Sequence, residues 1–427
     1  MVRVEESFDL FISMALPGVL FWIGSEALEP LPEFSQAHDL HLSTLHAAFT
    51  ALLGAVACAW VVLAAQTAVG VRRLPRLSSA TPAAGALPSV SLLVSARDEA
   101  EKMPAALRSM LALDYPSYEV IVVDDRSGDA TAEILREFAA TCKHLQAIRV
   151  DELPAGWLGK PHGLETAYER SRGEWLVFTD ADVRYEPKVL RLAVSLALER
   201  GYDHLTLFPH MEMSGFWEKT VLTFFGVSFL LYTRPWSVPD PASSAYIGIG
   251  AFQLLRRSAY ERIGTHRRLA LEVVDDMKLG RLVKEAGLKS GAALAEDLLT
   301  IRWQEGFRNI IRGTEKNFFA TTGFRLGMAL AQFLAVLVLN VLPFVALPFV
   351  SGWARGFAAV AATVAVLTSA AAAVRGGSSP LYGLTHPLGA LLVVYMGLRS
   401  TVKTLRQKGI YWRDTFYPLS ELRRGSV

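Results

Sequence analysis

Glu174-Trp175-Leu176-Val177-Phe178-Thr179-Asp180-Ala181-Asp182-Val183 is the stretch from which the rest of the chain can be read. Trp175 to Phe178 is a short apolar run, the pattern of a strand buried on both faces. It stops at Asp180-Ala181-Asp182. In an extended chain residues i and i+2 point the same way, so both carboxylates are expected to leave the strand's end on one side. Two neighbouring carboxylates repel unless positive charge sits between them. A divalent cation supplies it, and oxygen-only ligands favour Mg2+ or Mn2+ over softer metals. Past the C-terminal end of a central strand, such a metal typically holds a phosphate-bearing ligand. Two aspartates capping a loop would read the same in isolation, so the flanking sequence has to decide.

Upstream of this stretch, strands and helices alternate. Val90 to Val94 reads as a buried strand and Glu99 to Ala112 as a helix. Tyr118 to Val123 is a second strand, ending in Asp124-Asp125-Arg126-Ser127. A helix is expected over 129–140 with Asp129 as its N-cap. Leu145 to Val150 is a third strand, and Pro161 to Ser171 is helical. This order predicts an α/β domain with a mostly parallel sheet. Ser95-Ala96-Arg97-Asp98-Glu99, Asp124-Asp125 and Asp180-Ala181-Asp182 all fall at carboxyl ends of strands, where ligands of such sheets bind. The coincidence favours a shared nucleotide site over three unrelated caps.

Downstream, residues 216–236 are apolar and aromatic, and Gly248 to Phe252 is glycine-rich. Val273-Val274-Asp275-Asp276 leads into a helix over 277–286, stopped by Gly287. Residues 301–317 read as one amphipathic, basic helix. Arg308, Arg312 and Lys316 recur at four-residue spacing and are expected on one face. That face suits a diphosphate or anionic lipid, or a snorkelling interfacial helix.

The flanks are membrane-like. Of the 427 residues, 52% are apolar and 20% charged, against about 25% charged in soluble domains. Net charge is only +2, so no nucleic-acid footprint is expected. Cys58 and Cys142 form neither a disulfide framework nor a metal spacing. Phe8 to Gly24 and Ala47 to Val71 read as membrane segments. The stretch between them, 25–46, has no Lys or Arg and reads as an outer linker. Its His38, His41 and His46 read as solvated rather than as a metal site. Arg72, Arg73 and Arg76 follow the second segment and place what comes next in the cytoplasm. Residues 1–76 are thus expected to form a membrane hairpin, 77–88 a linker, 89–320 the catalytic domain, 321–400 C-terminal membrane helices and 401–427 a basic tail. The apolar stretches 326–350, 357–374 and 381–398 raise a conflict. Three spans would put the basic tail outside, where its charge argues against it. His386 and Pro387 make 381–398 the stretch expected not to cross.

The motifs together resemble family-2 glycosyltransferases of the GT-A fold, specifically membrane-bound members that glycosylate hopanoid, carotenoid and ceramide lipids. The resemblance rests on Ser95–Glu99, Val122–Ser127, Gly156-Trp157-Leu158-Gly159-Lys160, Asp180–Asp182, Gly250-Ala251-Phe252 and Asp275–Leu279, and covers about 88–320. It implies a Rossmann-like cytoplasmic domain flanked by transmembrane helices, in the inner membrane. It implies that Ala96, Arg97, Glu99, Asp124 and Asp125 bind the base and ribose of a nucleotide-diphosphate sugar, with a UDP-sugar the expected donor. Asp180 and Asp182 would hold Mg2+ or Mn2+ and the diphosphate, with Lys160 near the donor. Asp276 would be the general base, and Asp275, Arg302, Trp303 and Arg312 would lie toward acceptor or diphosphate. Two departures stand out. The base motif is Asp275-Asp276 where Glu-Asp is usual, and Leu299 replaces the Gln that polysaccharide synthases carry before Arg-Trp.

The chemistry agrees. The leaving diphosphate gathers negative charge, which a metal at Asp182 would stabilise. The acceptor hydroxyl needs a carboxylate to take its proton. One base with no covalent nucleophile implies inversion. The expected activity is single-sugar transfer to a membrane lipid hydroxyl. A processive polysaccharide synthase and a non-catalytic nucleotide-sugar-binding protein remain as alternatives. A transporter fits less well, because the apolar stretches hold few ionisable residues.

Overall fold

The computed structural model describes residues 32–83 and 85–425, with side chains from residue 43 onward. The chain divides into two compact units, residues 1–52 and 53–427. The first apolar stretch, 8–24, lies outside the described residues. Helix α1 runs Pro32–Arg73, so the outer linker expected to reach His46 is helical from residue 32. No Gly or Pro occurs between Pro32 and Gly54 to end it.

The second unit is built on an eight-stranded sheet. Its elements are β1 (Val90–Ala96), α2 (Met103–Leu111), β2 (Tyr118–Asp125), α3 (Thr131–Thr141), β3 (Leu145–Val150), α4 (Gly159–Arg170), β4 (Trp175–Asp180), β5 (Arg184–Tyr185), α5 (Val189–Arg200), β6 (His204–Met211), α6 (Gly215–Thr233), β7 (Gln253–Arg256), α7 (Arg257–Arg262), α8 (Asp275–Glu285) and β8 (Ser290–Ile301). Strand order is β3-β2-β1-β4-β7-β6-β8-β5. The first four are mutually parallel, β7 runs against β4 and β6, and β5 runs against β8. The expected mostly parallel α/β sheet is therefore present. Side chains alternate between two covered faces. Leu92, Val94 and Val177 pack with Met103 and Leu107 on one face. Leu93, Phe178 and Ile121 pack with Leu164, Tyr260 and Leu279 on the other. Register aligns the strand ends: Ser95 lies beside Asp180 and Ala96 beside Asp124.

Several local expectations shift. The helix expected from Glu99 starts at Met103, because Asp98 is left-handed (φ 54°) and Pro104 tolerates only the first helical turn. Asp129 accepts from the Thr131 N–H at 2.9 Å, two residues ahead of α3. The single helix expected over 301–317 does not form. Ile301 ends β8 opposite Met211; then Gly306 (φ 79°) opens the short helix α9 (Phe307–Thr314), followed by α10 (Asn317–Thr321). Arg308 and Arg312 are exposed on α9, whereas Lys316 falls between the helices and turns inward. The three therefore do not share a face.

The C-terminal part comprises α11 (Leu326–Asn340), α12 (Leu342–Ala346), α13 (Gly352–Arg375), α14 (His386–Gln407), β9 (Gly409–Trp412), β10 (Thr415–Pro418) and α15 (Leu419–Arg424). Three helices among the described residues are long and apolar enough to cross a membrane: Ser43–Arg73, Gly352–Arg375 and Pro380–Gln407. The tail boundary expected at residue 401 falls inside α14. Beyond it the chain is folded. Ile410, Tyr417 and Leu422 are buried in one apolar cluster with Leu158, Val273 and Phe319.

Candidate active site

One glycine ties the two acidic motifs together. The Gly250 N–H donates to Asp276 Oδ2 at 3.0 Å, and the Gly250 carbonyl accepts from the Asp180 N–H at 2.9 Å. A Cβ at this position would sit 2.6 Å from Asp180 Oδ2, so only glycine allows the approach. Asp180 closes β4, and Asp275-Asp276 opens α8. Residues 70 and more apart in sequence thus meet in one cleft.

Lys160, on the first turn of α4, bridges the motifs. Its Nζ is 2.7 Å from Asp180 Oδ1 and 3.9 Å from Asp275 Oδ1. Burial works against its charge, but Asp180, Asp275 and Asp276 outweigh that and raise its pKa. Asp182 faces a different cation, with Lys102 Nζ 3.5 Å from its Oδ2. The expectation that the strand's pleat sends both carboxylates the same way needs correction. β4 ends at Asp180 and Ala181-Asp182 form a turn, so each acid meets its own lysine.

A divalent cation nonetheless suits these donors. Both are carboxylate oxygens, which Mg2+ and Mn2+ accept. Burial and the neighbouring Asp180 push the Asp182 pKa up to about 6 despite Lys102. The pair is therefore short of positive charge, which is what a metal site offers before its ion binds.

The second pair differs in exposure. Asp275 is 4% exposed and Asp276 half-buried. Asp276 accepts backbone N–H groups on both oxygens, from Gly250 and from Met277 at 2.8 Å. Burial raises its pKa, with Lys160 opposing and Asp180 adding. Asp275 is raised to about 7, by burial against the pull of Lys160. His266, 1% exposed, lies 3.9 Å from Asp275; burial and Lys160 hold its pKa down to about 3, so it is neutral. A small cavity behind the pair is lined by Lys160, Thr179, Gln253, His266, Asp275 and Asp276.

At the other strand ends, Asp124 pairs with Arg149 (2.8 Å) and Asp125 with Arg126 (2.7 Å). Arg97 reaches Asp125 at 4.0 Å, with Ala96 buried beneath it. Glu99 is 2.5 Å from Arg413. The residues named toward the acceptor are less convergent. The Arg302 guanidinium is engaged by Ser214 (2.7 Å) and Glu218 (3.3 Å), while its carbonyl accepts from Lys102. Trp303 stacks on Phe225 with centroids 5.4 Å apart. Arg312 is exposed on α9.

Sequence reasoning missed Lys102, His266, Trp412 and Arg413. Lys102 follows Glu99 by three residues, and in hindsight two acids at a strand end call for nearby cations. Nothing in the tail's sequence tied Trp412 and Arg413 to the cleft.

The comparisons agree with this geometry. Residues 91–264 match the Glycosyl transferase family 2 profile. Over 232 residues the chain is 24% identical to 4,4'-diaponeurosporenoate glycosyltransferase of Staphylococcus haemolyticus, covering 54% of this chain and 60% of that protein. The Staphylococcus aureus counterpart is 23% identical over 238 residues, covering 55% and 62%. The match thus spans about three fifths of the length of these curated relatives. Among solved structures, a mannosyltransferase from Pyrobaculum calidifontis, in complex with GDP-Man and Mn2+, superposes with a TM-score of 0.51. Identity there is 21%, and the alignment covers 84% of this chain and 99% of that one. That likeness establishes the fold. Strand order and cleft agree with that profile: residues 91–264 are similar to family 2 glycosyltransferases, and the chain is built on a GT-A fold.

Proposed function

We propose that the protein moves a single sugar from a nucleoside-diphosphate sugar to a hydroxyl of a membrane lipid, with inversion at the anomeric carbon. The observation that carries this reading is Gly250. It holds the donor-side Asp180 and the half-buried Asp276 on one backbone segment, so a donor and an acceptor can meet there. The names of the staphylococcal relatives support a carotenoid-type acceptor, and the mannosyltransferase was solved with a nucleotide sugar.

The residues divide the work. Arg97, Glu99, Asp124 and Asp125 line the strand ends where base and ribose are expected. Asp180 and Asp182 would hold Mg2+ or Mn2+, which supplies charge for the departing diphosphate. Lys160 sits between donor and base, charged throughout, and opposes the same negative charge. Asp276 takes the acceptor proton as the hydroxyl oxygen bonds to the anomeric carbon and the bond to phosphate breaks. Burial raises its pKa, which strengthens it as the acceptor of that proton. Asp275, raised to about 7, backs it from the buried side.

The site works at a cytoplasmic membrane surface in this reading. Arg375 pairs with Glu296 at 2.7 Å where α13 ends, and Arg399 pairs with Glu315 at 2.7 Å near the end of α14. Both ends of the segment between them are thus tethered to the catalytic domain, which supports 380–407 staying on its side. Residues 326–350 and α13 would then cross out and back, leaving the basic tail inside as its charge requires. A cysteine engineered beside Asp129 should react with permeant reagents only.

The test is direct. Membranes containing the protein are incubated with a panel of radiolabelled nucleotide sugars, and the extracted lipids are analysed. One labelled lipid carrying one sugar is expected. Label only in polymer, or in no lipid with any donor, would overturn the reading.

A further inference from the structure

The C-terminal hairpin, β9 and β10, lies outside the matched family region, yet its tip sits on the donor side of the cleft. Its base is fixed by core packing: Ile410, Tyr417 and Leu422 are 3%, 6% and 0% exposed. Its tip is aimed. Arg413 has φ 45°, a left-handed conformation that an L side chain rarely adopts. Arg413 Nη2 lies 2.5 Å from Glu99, and its Nη1 lies 3.4 Å from the Asp98 carbonyl. Arg97 donates to Thr415 Oγ1 at 3.3 Å. Trp412 places its ring 3.3 Å from Lys316 Nζ. All four contacts fall on residues at the strand ends or facing Asp180.

An independent observation points to a ligand. Arg97 Nε is buried and makes no hydrogen bond: the Asp98 carboxylate lies 3.8 Å away, beyond hydrogen-bond reach, while the rest of the guanidinium reaches Asp125 and Thr415. Buried donors are nearly always satisfied. This one lies between the β1–β2 ends and the hairpin, where an acceptor atom of a bound molecule would satisfy it. Arg97 and Arg413 give this side of the cleft two permanent cations, and Lys316 beside Trp412 is an amine that an entering anion can charge. An anionic ligand with ring and ribose acceptors matches them.

We infer that the hairpin forms a wall of the donor pocket, with Arg413 positioning Glu99 and Arg97 for a nucleoside diphosphate. The inference rests on the donor reading above. It assigns the tail a part in donor affinity, not in the chemical step. Arg413 is a positioning residue, because it acts through Glu99.

Purified full-length protein in detergent is titrated calorimetrically with uridine diphosphate and guanosine diphosphate. Amide exchange is followed in peptides covering 409–418. Whichever nucleotide binds the wild type, Arg413→Ala should weaken it about tenfold, the scale of one charge-assisted contact. Arg413→Lys should recover part of the loss. Nucleotide should slow exchange across 409–418 in the wild type, and KM for donor should rise with kcat nearly unchanged. Arg413 lies at the exposed tip, so circular dichroism of the variant should match the wild type. Equal affinity in wild type and Arg413→Ala, with hairpin exchange unmoved by nucleotide, overturns the inference and leaves the donor reading standing. Failure of the wild type to bind either nucleotide overturns both.

Discussion

The two halves of the sheet treat their acids differently. On the parallel half, each carboxylate at a strand end has its own cation: Asp124 with Arg149, Asp125 with Arg126, Asp180 with Lys160 and Asp182 with Lys102. On the mixed half, Asp275 and Asp276 are pushed upward by burial, against the pull of the same Lys160 that pairs with Asp180. The first arrangement suits binding: cations hold each acid in place, while Asp180 and Asp182 together stay short of positive charge and leave room for a metal. The second suits proton transfer, since burial raises both carboxylates and so strengthens them as proton acceptors. On the proposed function, a cleft that places the two side by side would separate holding a donor from activating an acceptor.

The sharpest way to break this contrast is to neutralise the two acids of the mixed half in turn. Asp276→Asn should keep nucleotide binding and lower kcat by about 10² to 10⁴, the usual cost of losing a general base. Asp275→Asn should cost less, because Asp275 faces His266 and Lys160 rather than the open cleft. A dead Asp275→Asn beside an active Asp276→Asn would reverse the two roles.

The donor half should respond to metal instead. The Asp182 pKa is raised to about 6 in the folded protein, above its ordinary value of about 3.9. A raised carboxylate binds more protons folded than unfolded, so its contribution to stability falls as pH climbs from about 4 to 6. A cation at Asp182 reverses that penalty only once the proton has left. Added Mn2+ should therefore raise the melting temperature more at pH 7.5 than at pH 5. Asp182→Ala should abolish that difference and most of the transfer. A Mn2+ response that survives in Asp182→Ala would place the metal elsewhere.

This contrast was only half legible in the sequence. β1 to β4 come from consecutive strand–helix–strand units, so apolar runs and the polar residues after them locate both sheet and site. Asp180, Asp182 and Asp276 could be named from their motifs. Their partners could not. Lys102 reaches Asp182 only because Asp98 turns left-handed and delays α2 to Met103. Lys316 turns inward because Gly306 and the break after Thr314 divide what reads as one amphipathic helix. Arg413 meets Glu99 across more than 300 residues, and no periodic pattern records such a contact. Short-range patterning encodes strands; long-range charge pairing is set by the turns between them.

On the acceptor side, Phe225 offers a milder test. Helix α6 buries Val221, Phe224 and Val227 but exposes Phe216, Trp217 and Tyr232. Phe225 is half-buried between Trp303 and Phe229, with ring centroids 5.4 and 6.1 Å away. Such mixed exposure suits an interfacial helix that turns one wall toward a lipid acceptor. Phe225→Glu should lower use of the lipid acceptor about tenfold, the order of losing an aromatic contact and its buried area. Hydrolysis of the nucleotide sugar should persist. Parallel loss of both activities with a lower melting temperature would mean the helix is simply core.

The smallest effect sits on the boundary between the two halves. Burial and the nearby Lys160 hold the Lys316 pKa down to about 7, with Asp275 opposing. At pH 7.5 it is therefore largely neutral, although its Nζ rests against the Trp412 ring. A diphosphate entering beside Asp180 brings negative charge that raises the pKa of every neighbouring group. Lys316 then takes up a proton, and Asp275, raised to about 7, moves in the same direction. Binding of a nucleoside diphosphate without added metal should accordingly consume a fraction of a proton, up to about one. Calorimetry at pH 7.5 in two buffers of different ionisation enthalpy measures this as a difference in apparent binding heat. Lys316→Met should remove most of the uptake and weaken binding only a few-fold, about 1 kcal/mol or less. Unchanged uptake in Lys316→Met would assign the proton to the Asp275–Asp276 pair, and the division between a matched donor half and a titrating acceptor half would then be complete.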